Sequence, residues 1–235
     1  MNIWQTTKGT KILQLLNGRS NVFCLERDGN IILIDTGREK EYKQLTEILT
    51  SLHIFQIQAL VLTHTHFDHA ENAANLKEKF HPEVIVHSSE SVFLFTGDSP
   101  LPRGSIFPTR VLVKLFAQRV QPFFHYKGCK SDIRVDTRFD MASFGFNAYL
   151  LHTPGHSRGS MSVIVDDEIA IVGDTMYGYI PGSVFPPFAD NNNHLVLSWK
   201  KLLDSGCKTF LPANGFERSR TDLLRSYEKL KAKTK

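Results

Sequence analysis

The sequence predicts a mixed α/β chain in which two β-rich halves pack sheet on sheet and helices cover both outer faces. Three observations support this prediction. Short apolar stretches bounded by turn residues recur in both halves, segments with helical periodicity alternate with them, and no linker rich in Pro, Gly or Ser interrupts the 235 residues. Because a chain of this length with 41% hydrophobic residues can bury one sizeable core, we expect a single domain over residues 1–235.

The first half begins as a β meander and continues with helices and strands in alternation. Asp28-Gly29 is a turn signal between the second and third strands. Apolar residues recur at helical spacing from Tyr42 to Leu52, and Ala and Leu share one side of the segment that ends at Phe80. The predicted strands are residues 12–16, 21–26, 31–34, 57–62 and 84–86, and the predicted helices are residues 39–52 and 68–80.

The second half returns to β structure and ends in helices. Asp166-Asp167 predicts a tight turn between two apolar strands. The predicted strands are residues 147–151, 161–165, 168–172 and 209–211, and the predicted helices are residues 193–203 and 219–233. Two β-rich segments separated by helices are what a sheet-on-sheet core requires.

An insertion at about residues 93–140 lies between the two halves and is rich in Phe and Pro, including Phe123 and Phe124. Its segment 109–120 sets basic residues opposite apolar ones, which predicts an amphipathic helix. The basic residues are Arg110 and Lys114, and the apolar ones are Val111, Leu112, Leu115 and Phe116. Two interpretations stay open. The helix either completes the core or forms an apolar lid over a pocket, which favours an acyl, aromatic or lipid-like substrate.

The composition argues against several functional classes. The formal charge of +4 is modest and the basic residues are scattered apart from a cluster at 229–235, so a nucleic-acid partner is not expected. Cys24, Cys129 and Cys207 are far apart and form no CxxC spacing, which favours a reducing compartment, by default the cytoplasm. Without a signal sequence or a stretch of about 18 apolar residues, we expect no transmembrane segment. The oligomeric state stays open.

The segment His-Thr-His-Phe-Asp-His at residues 64–69 follows an apolar strand and gathers three imidazoles and a carboxylate. Imidazole binds zinc, iron or manganese and Asp adds a hard oxygen ligand, as a site that activates water needs. Residues two apart point the same way in an extended chain, so His64 and His66 can meet at one ion. Asp68 and His69 lie beyond the turn and can serve a neighbouring ion.

Two later segments bring further ligands to the ends of predicted strands. His156 ends the turn Thr-Pro-Gly-His, and Asp174 follows an apolar strand in Gly-Asp-Thr. The six candidate ligands exceed what one tetrahedral ion uses, so two ions bridged by a carboxylate are the simplest interpretation. His87 and His194 are alternative ligands that nothing in the spacing requires.

In this order, the motif His64-x-His66-x-Asp68-His69, the turn at His156 and the Gly-Asp-Thr at Asp174 resemble the metallo-β-lactamase-fold hydrolase superfamily, in its glyoxalase II and lactonase-like branch. The resemblance spans about residues 35–215. It implies a four-layer αβ/βα sandwich with metals at one edge of the two sheets. It also implies roles for the ligands: His64, His66 and His156 on the first metal, Asp68 and His69 on the second, Asp174 bridging, and Asp35 orienting the metal-binding loop.

The sequence departs from the family pattern at Asn214. Family members commonly carry a final His ligand in a turn after the last strand, whereas this chain has Leu-Pro-Ala-Asn-Gly at residues 211–215. Asn214 is therefore the expected ligand at this position. Its amide oxygen is a neutral and weaker donor than imidazole, so we expect a second site that is weak, labile or filled by a harder ion. The expected cofactor is zinc, as one or two ions, with manganese or iron as alternatives.

These features predict metal-assisted hydrolysis of an ester, thioester, lactone or amide in a small-molecule substrate. The metal would lower the pKa of a bound water from about 16 to about 7, and Asp68 would orient that water or shuttle its proton. Tyr177 either donates to a developing oxyanion or only fills its loop. Two other functions stay open: phosphodiester hydrolysis, and a non-catalytic ligand-binding or regulatory protein with a degraded second metal site.

Overall fold

Two stacked β-sheets with helices on both outer faces form the fold, and the predicted fold class is thereby confirmed. The structure is a computed structural model that describes residues 1–18, 20–120 and 124–231. Strands β1 to β4 of the first sheet are antiparallel, and β4 to β7 are parallel. In chain order across the sheet these strands are β1 (Ile3–Gln5), β2 (Lys11–Leu16), β3 (Val22–Arg27), β4 (Asn30–Ile34), β5 (Ala59–Val61), β6 (Glu83–His87) and β7 (Ile133–Val135).

The second sheet has the order β13-β12-β11-β10-β9-β8. Only the β11–β12 pair is parallel among the described pairs of this sheet, because helix α6 connects these two strands. The strands are β8 (Arg138–Asp140), β9 (Ala148–His152), β10 (Met161–Val165), β11 (Ile169–Gly178), β12 (Thr209–Gly215) and β13 (Arg218–Ser219).

Helices cover the outer face of each sheet. Alternate residues of one strand face opposite ways, so Ile32 and Ile34 of β4 point between the sheets while Ile31 and Leu33 pack beneath helices α1 and α3. Helix α6, with Trp199, packs in the same way on the second sheet. The helices are α1 (Tyr42–Ser51), α2 (Phe67–Ala70), α3 (Ala73–Phe80), α4 (Ser91–Thr96), α5 (Phe107–Val120), α6 (Asn192–Asp204) and α7 (Arg220–Lys231).

Strands β11 and β12 are longer than the sequence predicts. The predictions end at residues 172 and 211, whereas the strands continue to Gly178 and Gly215. Asp174 and Asn214 therefore lie within strands and not beyond their ends. The register shifts on both sides of Gly173, whose φ is +52° and whose added Cβ would lie 2.7 Å from Thr63 Oγ1. This irregularity aims Asp174 without ending the strand.

Other differences concern short elements. The predicted helix 68–80 is two helices, α2 and α3, because Asn72 between them donates its side-chain amide to the carbonyls of Thr36 and Arg38. Strands β1, β7 and β8 contain three residues each, too few for a periodic pattern. Residues 232–233 of the last predicted helix lie outside the described residues. No helix in the described ranges is both long enough and apolar enough to cross a membrane.

Candidate metal centre

The predicted ligands meet at one edge of the two stacked sheets. His64 and His66 follow the parallel strand β5, and His66 is the residue from which helix α2 begins. Asp68 and His69 lie within α2. The second sheet supplies the others: His156 follows β9, Asp174 lies in the irregular part of β11, and Asn214 lies in β12.

Three buried imidazoles form the tightest group. The Nδ1 atom of His66 lies 2.9 Å from Nε2 of His64 and 3.0 Å from Nε2 of His156. Burial, followed by the neighbouring imidazoles, lowers the pKa values of His64 and His66 well below their ordinary value. The rings are therefore neutral, and neutral imidazole is the form that binds a metal.

The hydrogen bonds on the far side of the rings fix which nitrogen is free. Nδ1 of His156 lies 3.0 Å from the carbonyl oxygen of Phe188 and donates to it, which leaves Nε2 with a lone pair toward the group. Nδ1 of His69 donates to Asp35 over 2.8 Å, while Nε2 of His69 is buried without a hydrogen-bond partner among the described residues.

This donor set fits a metal ion. A buried imidazole nitrogen without a hydrogen-bond partner, such as Nε2 of His69, is costly unless it binds something. Nitrogens bound to a tetrahedral zinc lie about 3.3 Å from one another, so small movements would let His64, His66 and His156 hold one ion. Three imidazoles with open space before them are also the arrangement typical of a catalytic zinc site.

A second group of possible ligands lies beside the first. Asp174 faces both groups, because its Oδ2 lies 3.6 Å from Nε2 of His156 and its Oδ1 lies 3.8 Å from Nε2 of His69. Asp68 Oδ1 lies 4.0 Å from the same His69 nitrogen. His64, His69 and Asp174 also offer ligand atoms within 4.8 Å of one another. The two groups of candidate ligands therefore share Asp174 as a neighbour.

The histidine of this second group has a pKa shift of the opposite sign to those of His64 and His66. Burial by itself lowers the pKa of His69, but the carboxylates of Asp35, Asp68 and Asp174 outweigh it and raise the pKa to about 10. Burial raises the pKa of Asp68. A positive charge is thus stabilised at the point where a second metal ion would bind.

Asn214 lies at the predicted place beside the second group. Its side-chain amide donates to Asp174 Oδ1 over 2.7 Å. The amide nitrogen cannot bind a metal, so Asn214 acts here as a hydrogen-bond donor to the candidate bridging carboxylate.

Two buried carboxylates hold the ligand-bearing loops. Asp35 accepts hydrogen bonds from the backbone and hydroxyl of Thr63, each at 2.8 Å, as well as from His69. Glu90 accepts from the Thr65 hydroxyl, from Ser157 Oγ at 2.7 Å and from Gly159 N at 2.9 Å. Glu90 therefore joins the loop of His64 and His66 to the loop of His156, a function that the sequence analysis missed.

A cavity of about 900 Å³ opens onto the metal centre. Its floor includes His66, Asp68, His156, Asp174 and Asn214. Its walls are largely apolar and come from the insertion and from the loop before α6: Leu101, Leu112, Val113, Phe116, Phe124, Pro186, Pro187 and Phe188.

Tyr177 lines the cavity beside Asp174, and its ring contacts that of Tyr179 with centroids 5.4 Å apart. Burial raises the pKa of the Tyr177 hydroxyl, so the group stays protonated at neutral pH and can donate a hydrogen bond. Tyr177 therefore brings a hydrogen-bond donor to the lining of the cavity.

The insertion helix α5 does not belong to the packed core. The described side chains of α5 are absent from the three core clusters, whereas Leu112, Val113 and Phe116 line the cavity. Phe124 stacks on Phe67 with ring centroids 4.5 Å apart, beside the metal centre. Phe123, which the sequence analysis includes in the insertion, lies outside the described residues.

The structure places the two alternative histidines elsewhere. His87 stacks on His152 with centroids 4.0 Å apart and binds the carbonyl oxygen of Asp136. His194 is exposed in the first turn of α6, where its backbone N–H donates to Asn191. Neither belongs to the groups whose ligand atoms converge.

A four-layer sandwich with a histidine-rich centre at the edge of its sheets defines a class of metal-dependent hydrolases. The chain belongs to the metallo-β-lactamase superfamily, whose family model matches residues 16–233. The predicted family and the predicted class of enzyme, a metallo-hydrolase, are thereby confirmed.

Individual relatives agree with this assignment. A probable metallo-hydrolase of Streptococcus pyogenes is 28% identical over 173 residues, which cover 71% of this chain and 67% of that protein. A hydroxyacylglutathione hydrolase of Haemophilus influenzae is 29% identical over 159 residues, covering 67% and 66%. A superfamily protein of Sulfolobus tokodaii shares the fold with a TM-score of 0.67 at 21% identity, covering 93% of this chain and 85% of that one.

Proposed function

We propose that the protein hydrolyses an ester or thioester of a small molecule with an apolar acyl group, through a water activated at the metal centre. One observation carries the proposal: the metal centre and a largely apolar wall belong to one cavity of about 900 Å³. That volume suits a drug-sized or acyl substrate. The Haemophilus influenzae relative is named a hydroxyacylglutathione hydrolase, and an acyl group on the sulfur of glutathione is a thioester, so this relative supports the same bond class.

The charge of the cavity favours a carbonyl over a phosphodiester. Among the described residues that line it, none is Lys or Arg. An anionic phosphodiester would therefore depend on metal alone for charge neutralisation, whereas a neutral acyl ester needs no cation. Residue Arg19, next to the lining residue Gly18, lies outside the described residues.

The ligands divide into two metal positions in this proposal. His64, His66 and His156 would hold the first ion, zinc by preference for three imidazoles. Asp68 and His69, with Asn214 alongside, would hold a weaker second ion, for which manganese or iron are alternatives. Asp174 would reach both. A bound metal would supply Lewis acidity, which makes water nucleophilic at neutral pH and polarises the scissile carbonyl.

The chain's own groups then complete the reaction. Asp68 lines the cavity beside Asp174 and orients the attacking water by accepting a hydrogen bond from it. The protonated Tyr177 hydroxyl donates to the oxygen on which negative charge develops. The apolar wall from Leu112, Phe116 and Phe188 holds the acyl chain and excludes bulk water from the carbonyl.

A substrate series tests the bond class and the acyl preference together. Zinc-loaded protein is assayed with p-nitrophenyl esters of increasing acyl length, with matched acyl thioesters and with bis-p-nitrophenyl phosphate. We expect kcat/KM to rise with acyl length for the esters and thioesters and to be negligible for the phosphodiester. Turnover of the phosphodiester alone would establish the alternative bond class. Absence of turnover with zinc, manganese and iron, alongside tight binding of an acyl ligand, would establish a binding protein.

Tyr177→Phe tests the oxyanion donor. Loss of one such donor lowers kcat by about 100-fold, with KM little changed. Tyr179→Phe is the matched control, because its hydroxyl donates to the backbone carbonyl of Gly18 and not into the centre. Equal kcat for Tyr177→Phe and the unchanged protein would show that Tyr177 only fills its loop.

A further inference from the structure

The outer side of helix α5 carries an exposed apolar ridge, which we define as Phe107, Val111 and Leu115. These residues are four apart, so they lie in one line along the helix. Their exposed fractions are 79%, 41% and 64%. Leu112 and Phe116 lie beside the ridge, on the side that lines the cavity, and are also about half exposed. A contiguous apolar surface of this kind on a folded chain marks an interaction site.

Basic side chains border the ridge along its second flank, away from Leu112 and Phe116. Arg110 and Lys114, together with Arg103, line a second cavity of about 590 Å³, in which Asp190 is the acidic lining residue. The Arg110 guanidinium donates to the carbonyl oxygens of Gly104 and Ser105 and is thereby held in place. In the part of the chain that the structure describes, no ion pair joins these three cations to a carboxylate.

The sequence concentrates positive charge on this segment. Residues 99–131 contain six Lys or Arg and no Asp or Glu, although the formal charge of the whole chain is only +4. The remainder of the chain is therefore net negative. Three of these six residues, Arg103, Arg110 and Lys114, lie beside the exposed ridge, so this surface is both apolar and cationic.

We propose that helix α5 docks this protein on an anionic phospholipid surface. The ridge inserts among the acyl chains, while Arg103, Arg110 and Lys114 contact lipid phosphates. An apolar helix face bordered by basic residues is the pattern of interfacial helices, and each basic residue near an anionic leaflet strengthens binding.

The position of α5 gives this docking a consequence for the cavity. Val113 lines both cavities, and Leu112 and Phe116 line the mouth of the larger one. Docking therefore brings the apolar mouth beside the lipid acyl chains, so an amphiphilic substrate can pass into the cavity without crossing water. The docking itself is a binding property and holds whether or not the proposed hydrolysis is correct.

Co-sedimentation with lipid vesicles tests the proposal. Vesicles of phosphatidylglycerol and of phosphatidylcholine are compared at low and high salt. We expect binding to the phosphatidylglycerol vesicles, weakened by salt because the attraction is partly electrostatic, and at least tenfold weaker binding to phosphatidylcholine. The double variant Phe107→Ser/Leu115→Ser should bind at least tenfold more weakly. Its matched control, Phe55→Ser/Leu197→Ser, removes side chains that are 65% and 62% exposed elsewhere and should bind as the unchanged protein does.

A charge variant tests the electrostatic contribution to vesicle binding, which the ridge variants leave unchanged. Lys114→Glu should weaken binding at least fivefold, since one basic residue near an anionic leaflet contributes about that factor, while Lys43→Glu on α1 should not. Circular dichroism checks that every variant is folded. Three results would overturn the proposal: no binding to phosphatidylglycerol at low salt, ridge variants that bind normally, or a dimer of the unchanged protein that the ridge variants abolish.

Discussion

The two halves of the metal centre differ in chemistry. The histidine half consists of His64, His66 and His156, and the acidic half consists of Asp68, His69 and Asp174, with Asn214 beside them. In the histidine half, three buried imidazoles converge on one point, and the pKa values of His64 and His66 lie well below the ordinary value. In the acidic half, three carboxylates including Asp35 stabilise a proton on His69. A metal that binds in the acidic half must displace that proton from His69. The carboxylates that attract the metal therefore also favour the proton that competes with it.

Removal of a ligand from the histidine half should have the largest effect. We expect His156→Ala to lose the first metal and to lower kcat/KM roughly a thousandfold or more, because activation of the water depends on it. Metal analysis and ester hydrolysis measure the two losses. His194→Ala, an exposed histidine outside the centre, is the control. If His156→Ala kept one metal and full activity, the two halves would be equivalent.

Glu90→Ala tests how much the histidine half depends on its supporting hydrogen bonds. The substitution removes the acceptor of the buried donors of Thr65 and Gly159, and one of the two hydroxyl partners of Ser157. We expect zinc affinity to fall about 10- to 100-fold and the free energy of unfolding to fall by about 2–3 kcal/mol. Zinc titration and urea unfolding measure these changes.

Asp166→Ala is the matched control for Glu90→Ala. Asp166 is equally buried and hydrogen bonded to Thr6 and Asn147, but it lies at the opposite end of β11 from Asp174. It should lower stability without changing zinc affinity. A parallel loss of affinity in both variants would mean that Glu90 acts through general stability alone.

Removal of the metal should show which half of the centre holds the zinc that stabilises the folded protein. A ligand at 100 times its Kd that binds only the folded state stabilises it by about 2.7 kcal/mol. We expect zinc at that level to raise the free energy of unfolding, compared with chelator, by this amount in the unchanged protein and by little in His156→Ala. Urea unfolding in zinc and in chelator gives the comparison. Equal stabilisation of both proteins would place the tight site in the acidic half.

Asn214→His should produce the smallest effect, confined to the acidic half. An imidazole in place of the amide adds a ligand beside Asp174, and we expect bound metal to rise from about one to about two per chain. Asn214→Ala, which removes the hydrogen bond without adding a ligand, should stay at about one. Unchanged stoichiometry in Asn214→His would show that the weakness of this half has another cause.

The sequence predicted those parts of the centre that depend on local spacing. His64, His66, Asp68 and His69 lie within six residues, and the structure brings all four to one edge because a short strand and a helix start fix their directions. The family, the fold and the class of enzyme follow from these motifs together with His156 and Asp174. The ligand roles themselves stay predictions.

Contacts between residues far apart in the chain could not be predicted from the sequence. Glu90 has partners 25 and 67 residues away and belongs to no recognisable spacing. The extensions of β11 and β12 were not predicted because an irregular, glycine-containing segment lacks the alternation of apolar and polar residues by which strands are recognised. The amphipathic pattern of α5 was visible, but only the structure shows that its apolar residues face the cavity mouth and the exterior instead of the core.

Gly173 sets the spacing between the sheets at the edge where the ligands meet. A Cβ there would lie 2.7 Å from Thr63 Oγ1 and 2.8 Å from Thr63 Cβ, so it would push strand β11, which carries Asp174, away from the segment that contains Thr63 and His64. The close approach of the two sheets at this edge thus depends on the absence of a side chain at position 173. An engineer who wished to fit a larger ion would therefore begin at position 173 and leave the ligands unchanged.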